Sequence, residues 1–198
     1  MIDDLFDLLS EFDFVGAHIT GMVDDSIVGH IANELDLNDE ERTLSGGFMV
    51  FDPQAIKIPF TNFYNEDWIW LFLQAKGKKI IQTGNVIQSK YDPFLNYQSK
   101  IIFQEFGEIL LSGVSKVYNE NSFEKLTQRL FWRDILNERK KYLKKLTIAS
   151  ERQGLENYST IIQHIQNNYS NFNTQSFQNT FKIFWNDVAI FHELNEKS

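Results

Sequence analysis

Ser45-Gly46-Gly47-Phe48-Met49-Val50-Phe51, followed after a short gap by Asn65-Glu66-Asp67-Trp68-Ile69-Trp70, carries the reading of this chain. A glycine pair enters an apolar run of β-forming residues, and because neither glycine has a Cβ, a ligand or another backbone can approach closely. Asp52-Pro53 ends that run in a turn. The second stretch reads as a helix. Asn65 is a suitable N-cap, and residues 66–75 are apolar enough for a buried helix that stops near Gly77. Glu66 and Asp67 fall in its first turn, where the macrodipole favours carboxylates. Acids there are ordinary capping chemistry, whereas crowding in a dry helix mouth turns one of them into a base.

Outward from this core the first half alternates. Residues 3–9 read as a short helix, 12–19 as a buried strand, and Asp24-Asp25-Ser26 as the cap of a helix over 27–35. A polar link over 38–43 leads to the Gly-Gly strand. After the acid helix, residues 78–82 and 85–88 read as two short strands about a Thr83-Gly84 turn. Character changes at Tyr91-Asp92-Pro93, after which no proline occurs and apolar residues recur at helical spacing. These are Leu95, Ile102, Phe106, Ile109 and Leu110, then Phe123, Leu126, Leu130, Ile135, Leu136, Leu143 and Leu146. Asn121-Ser122-Phe123-Glu124 supplies a helix start, and two further helices cover about 155–169 and 174–193. The predicted organisation is an α/β unit over 1–92 and an antiparallel helical array over 93–198.

At 198 residues, with 42% hydrophobic and 15% aromatic content, the chain can bury a sizeable core. A net charge of −8 argues against nonspecific nucleic-acid binding and against whole-chain attraction to anionic membranes. Cysteine is absent, so thiolate chemistry and disulfides are excluded, and a cytoplasmic location is the expectation. The N-terminus has no signal-peptide pattern, and no run approaches the ~18 apolar residues of a membrane span.

The Gly-Gly strand followed by an x-Glu-Asp helix flanked by tryptophan resembles the acceptor-side, C-terminal half of a GT-A fold glycosyltransferase of the family 2 type, over roughly residues 12–92. The fold this resemblance implies is α/β: a partial GT-A-like mixed sheet with flanking helices, followed by an all-helical C-terminal region. It also implies transfer of a sugar from a nucleotide-sugar donor to a hydroxyl acceptor. Asp67 becomes the catalytic base and Glu66 a ligand of acceptor hydroxyls, with Gly46 and Gly47 along the sugar site and Trp68 as its wall. The chain departs from the family in two places. No Asp-x-Asp motif precedes Ser45, and Gln88 stands where many relatives carry a histidine that reaches metal or phosphate. Glutamine is a poor metal ligand, so no cofactor is expected on this chain, although a complete enzyme could use Mn or Mg. The expectation is a chain that begins partway through a GT-A domain, keeps the acceptor side, and self-associates through an unpaired sheet edge. The rival reading is a non-catalytic glycan-binding or protein-interaction module derived from such a fold.

Three further features have competing readings. Arg133, Arg139, Lys140, Lys141, Lys144 and Lys145 form the one dense basic run. They read first as a solvated helix face balanced by Asp134 and Glu138, and second as a site for phosphate or a membrane surface. Among the four histidines no pair has i, i+4 metal-ligand spacing, and His18, at the end of the predicted strand near the expected sugar site, is the candidate for substrate contact. Of the aromatic residues Phe60, Phe63, Tyr64, Trp68 and Trp70, Tyr64 and Trp68 are expected to line a cleft, and Trp70, like Phe72, to lie in the core.

Overall fold

The computed structural model describes residues 2–21, 26–37, 48–59, 64–74 and 79–195. Within these the chain is mixed α/β, with a three-stranded sheet and seven α-helices. It divides into two compact units, Met1–Asp24 with Glu41–Tyr91 and Ile183–Ser198, and Asp25–Glu40 with Asp92–Lys182. No helix among the described residues is long and apolar enough to cross a membrane.

The first unit is built on β1 (Phe14–Gly21), flanked by β2 (Met49–Phe51) and β3 (Ile80–Gln88), with the short helix α1 (Ile2–Leu8) preceding it. β2 runs antiparallel to β1 with Phe51 opposite Phe14, and β3 runs parallel to β1 from Ile80 opposite Phe14 to Gln88 opposite Gly21. A parallel neighbour requires a crossover connection, and β2 together with a helix (Glu66–Gln74, α3 below) lies in the chain between the two strands. The expected hairpin over 78–88 is therefore corrected to one strand. Thr83-Gly84 is not a reversal but a bulge: two residues stand opposite the single Ala17, between the pairs Gly16–Gln82 and His18–Asn85. Gly84 supplies the positive φ, 70°, that the extra residue needs. β3 is an edge of the sheet among the described residues, and its Ile87 is 81% exposed.

Helix α3 (Glu66–Gln74) is amphipathic and packs its aromatic face on the sheet. Trp70 is fully buried, edge-on to Phe14 at 5.7 Å and 5.3 Å from Phe51. Its indole N–H donates to the Ile58 carbonyl at 2.7 Å, and the side chain of buried Gln74 bonds both that carbonyl and the Lys57 N–H. Trp70 and Gln74 thus meet partners on the segment before the helix, which fixes the helix in register.

The second unit holds α2 (Ile27–Glu34), α4 (Tyr97–Glu120), α5 (Arg129–Arg152), α6 (Glu156–Asn167) and the first part of α7 (Thr174–Asn195). Ser26 caps α2 as its residue type predicts, its hydroxyl oxygen accepting from the Gly29 N–H at 3.0 Å. Asp24 and Asp25 lie outside the described residues. The predicted helix start at Asn121–Glu124 is only a 3₁₀ turn, Phe123–Thr127, and α5 begins after it. Leu95 and Leu130, expected on apolar stripes, are 63% and 64% exposed. The core of this unit centres on Trp132, stacked on Phe177 and Phe181 at 5.3 and 5.5 Å and donating to the Leu126 carbonyl.

Candidate functional site

The acid pair stands at the open end of α3. Glu66 is exposed and Asp67 half-buried, whereas Trp68 through Leu71 and Leu73-Gln74 are buried. Asn65 precedes them with φ 63°, a left-handed conformation that asparagine tolerates, and its carbonyl accepts the first helical bond from the Ile69 N–H. Tyr64 is half-buried at the same helix entrance. Trp68, expected as a cleft wall, is 8% exposed and packs on Phe72 at 6.2 Å, while Phe72, expected in the core, is half-buried. Both stand on one face of α3, one turn apart, and of the two it is Trp68 that is buried.

His18 is exposed on β1, opposite Asn85, four residues beyond the Phe14 that meets α3 through Trp70. Gly46 and Gly47 lie outside the described residues, as do Phe60 and Phe63. The candidate residues that stand together are therefore Tyr64, Glu66, Asp67 and Trp68, all within five positions at one helix entrance. No group of three or more His, Cys, Asp or Glu side chains able to hold a metal occurs among the described residues.

A second polar centre, in the helical unit, escaped sequence reading. Arg139 of α5 forms a two-armed ion pair with Glu105 of α4, both N···O distances being 2.9 Å, and its guanidinium lies 3.8 Å from Glu108. Side-chain exposure is 11% for Arg139, 0% for Glu105 and 7% for Glu108. The expected solvated basic face is thus corrected at Arg139, which points inward, while Arg133 pairs with Asp134 at the surface and Glu138 with Lys116. Burial lifts the Glu105 carboxyl above the ordinary carboxylate range, and the adjacent guanidinium offsets part of that lift. The same carboxylates hold Arg139 in its charged form against its own burial.

Tyr169 borders this centre. Its ring is buried and its hydroxyl meets no hydrogen-bond partner among the described residues. Burial, with the Glu105 charge added, pushes the phenol up, and Arg139 works the other way. A buried hydroxyl without a partner is a destabilising group. Tyr169→Phe should therefore leave stability unchanged or raise it by up to about 1 kcal/mol. Urea unfolding checks this, and a loss of that size or larger contradicts it.

The face of Tyr169 opens on a groove of about 550 Å³ lined also by Lys140, Leu143, Lys144, Thr147 and Ile148 of α5 and by Gln166. The Lys140 ammonium sits 5.1 Å above the Tyr169 ring centroid, within cation–π range. A second groove, about 520 Å³, is lined by Ile148, Ala149, Leu35, Leu37, Lys145 and Arg152.

No protein-family model, no curated protein and no solved structure matches this chain.

Proposed function

We propose that this chain is the acceptor-side half of a glycosyltransferase, acting on a nucleotide-sugar donor and a hydroxyl acceptor. The observation that supports it is the mounting of the acid pair: two reachable carboxylates in the first turn of a helix whose remaining length is packed and hydrogen-bonded in place. Such a mount presents a base at fixed geometry, as proton abstraction requires. In the proposed step the Asp67 carboxylate takes the proton of the acceptor hydroxyl. The acceptor oxygen bonds to the anomeric carbon as the bond from that carbon to the donor's phosphate oxygen breaks, and the nucleotide diphosphate leaves. Glu66 hydrogen-bonds a neighbouring acceptor hydroxyl, and Tyr64 packs on the sugar face.

The complete gene product, assayed against a panel of nucleotide sugars, tests this reading. Asp67→Asn keeps the shape of the side chain but cannot take a proton, so turnover should fall about a hundredfold or more with folding intact. Absence of transfer by the parent, or an Asn variant that turns over like it, overturns the proposal. Burial of Trp68 favours the second reading, a non-catalytic glycan-binding or interaction module, because it removes one stacking face from the sugar site. On that reading glycan binding survives in both proteins and transfer is absent from both.

A further inference from the structure

We propose that the groove between α5 and the segment carrying Gln166 and Tyr169 is a binding site for an amphiphile with one apolar body and one phosphate or carboxylate head. The site lies in the helical unit and is independent of the sugar-transfer reading. Its volume, about 550 Å³, falls in the range of small-molecule pockets, roughly 300–1,000 Å³. The floor is apolar, made by Leu143, Ile148 and the face of Tyr169, and Ile148 remains 40% exposed.

Charge selects the head. Lys140 and Lys144 stand one helical turn apart on the same face of α5, so their ammonium groups can straddle one anion. Lys140 is held at the groove wall by the Tyr169 ring. Among the described residues no carboxylate lines either groove, although acidic residues outnumber basic ones by 27 to 19 in the whole chain. An anion therefore finds a local cationic site on an otherwise repelling protein. Ile148 also lines the second groove, whose apolar lining includes Leu35 and Leu37. A head of this kind without an apolar body would leave the floor unused, and an apolar body without a head would leave both lysines unpaired.

Calorimetry with decyl phosphate below its micelle-forming concentration is the test, with hexyl phosphate, decanol and inorganic phosphate as separate arms. One saturable site is expected for decyl phosphate, at least tenfold tighter than hexyl phosphate, decanol or inorganic phosphate. Lys140→Gln/Lys144→Gln should weaken it at least tenfold, and Lys140→Arg/Lys144→Arg should restore most of the affinity. Both lysines are exposed, so circular dichroism of the variants should match the parent. Equal affinity in the Gln variant, or inorganic phosphate binding as well as decyl phosphate, overturns the proposal. Flotation with phosphatidylserine vesicles in the absence of saturable decyl phosphate binding overturns it too, in favour of a membrane-facing surface.

Discussion

Replacing Arg139 with methionine should destabilise the protein by roughly 3–5 kcal/mol near neutral pH. The reason is what remains behind. Glu105 is completely buried and Glu108 nearly so, and the Arg139 guanidinium lies within 4 Å of both. Methionine fills much of the space but leaves a carboxylate in the interior without its counter-charge, and that desolvation penalty exceeds any loss of packing. Acid should partly rescue the variant. Arg139 is the group that holds the Glu105 carboxyl down, so its removal raises that pKa further above the unfolded value. A carboxyl with a raised folded pKa contributes stability below its unfolded pKa and loses it as pH rises through the folded one. The deficit of the Arg139→Met variant should accordingly shrink as pH is lowered from 7 toward 5. Adding Glu105→Gln removes the stranded charge and should recover a large part of the loss at pH 7. Chemical denaturation of the parent, single and double variants across this pH range is the measurement. A pH-independent deficit, or a double variant no better than Arg139→Met, contradicts the argument.

That buried pair also shows where reading from sequence stops. The acid helix was legible because its signals are local: an Asn65 of N-cap type, two acids, then an apolar run ending near glycine. β1 and the long helices were legible for the same reason, each having its period written within its own length. On α4 the apolar spacing marks Ile109 and Leu110, both fully buried, but the same buried face also holds Glu105 and Glu108, which apolar periodicity does not reveal. Glu105 becomes a core residue through Arg139, 34 positions away, and no local pattern encodes that pairing. Thr83-Gly84 failed for a different reason. A glycine at positive φ serves a hairpin turn and a bulge equally well, and the choice rests on a partner strand 66 residues earlier. The candidate site divides along the same line. The acids at the entrance of α3 were readable in place, but which face Trp68 turns to the interior depends on the packing of α3 as a whole.

The largest packing effect should come from Trp132. Truncation to alanine is expected to cost roughly 3–5 kcal/mol, because the ring is fully buried between Phe177, Phe181 and Phe131 and its N–H satisfies the Leu126 carbonyl. Gly113 of α4 makes the argument sharper. A Cβ at this position would lie 2.5 Å from two carbons of the Trp132 six-membered ring, closer than carbon atoms can approach. Glycine weakens a helix interior by about 0.5–1 kcal/mol relative to alanine, so its presence here is explained by the ring it accommodates. Gly113→Ala in the parent should therefore destabilise by about 1–3 kcal/mol, since the indole must shift within a packed stack. In the Trp132→Ala background the obstacle is gone. The same substitution should then stabilise by up to about 1 kcal/mol, through helix propensity and partial filling of the cavity. This reversal of sign is the diagnostic result of the double-mutant cycle, and it separates a steric conflict with the ring from a backbone requirement for glycine. If Gly113→Ala destabilises equally in both backgrounds, the close approach of α4 to Trp132 does not govern this position, and the account of the helical core given by the stack around Trp132 is wrong.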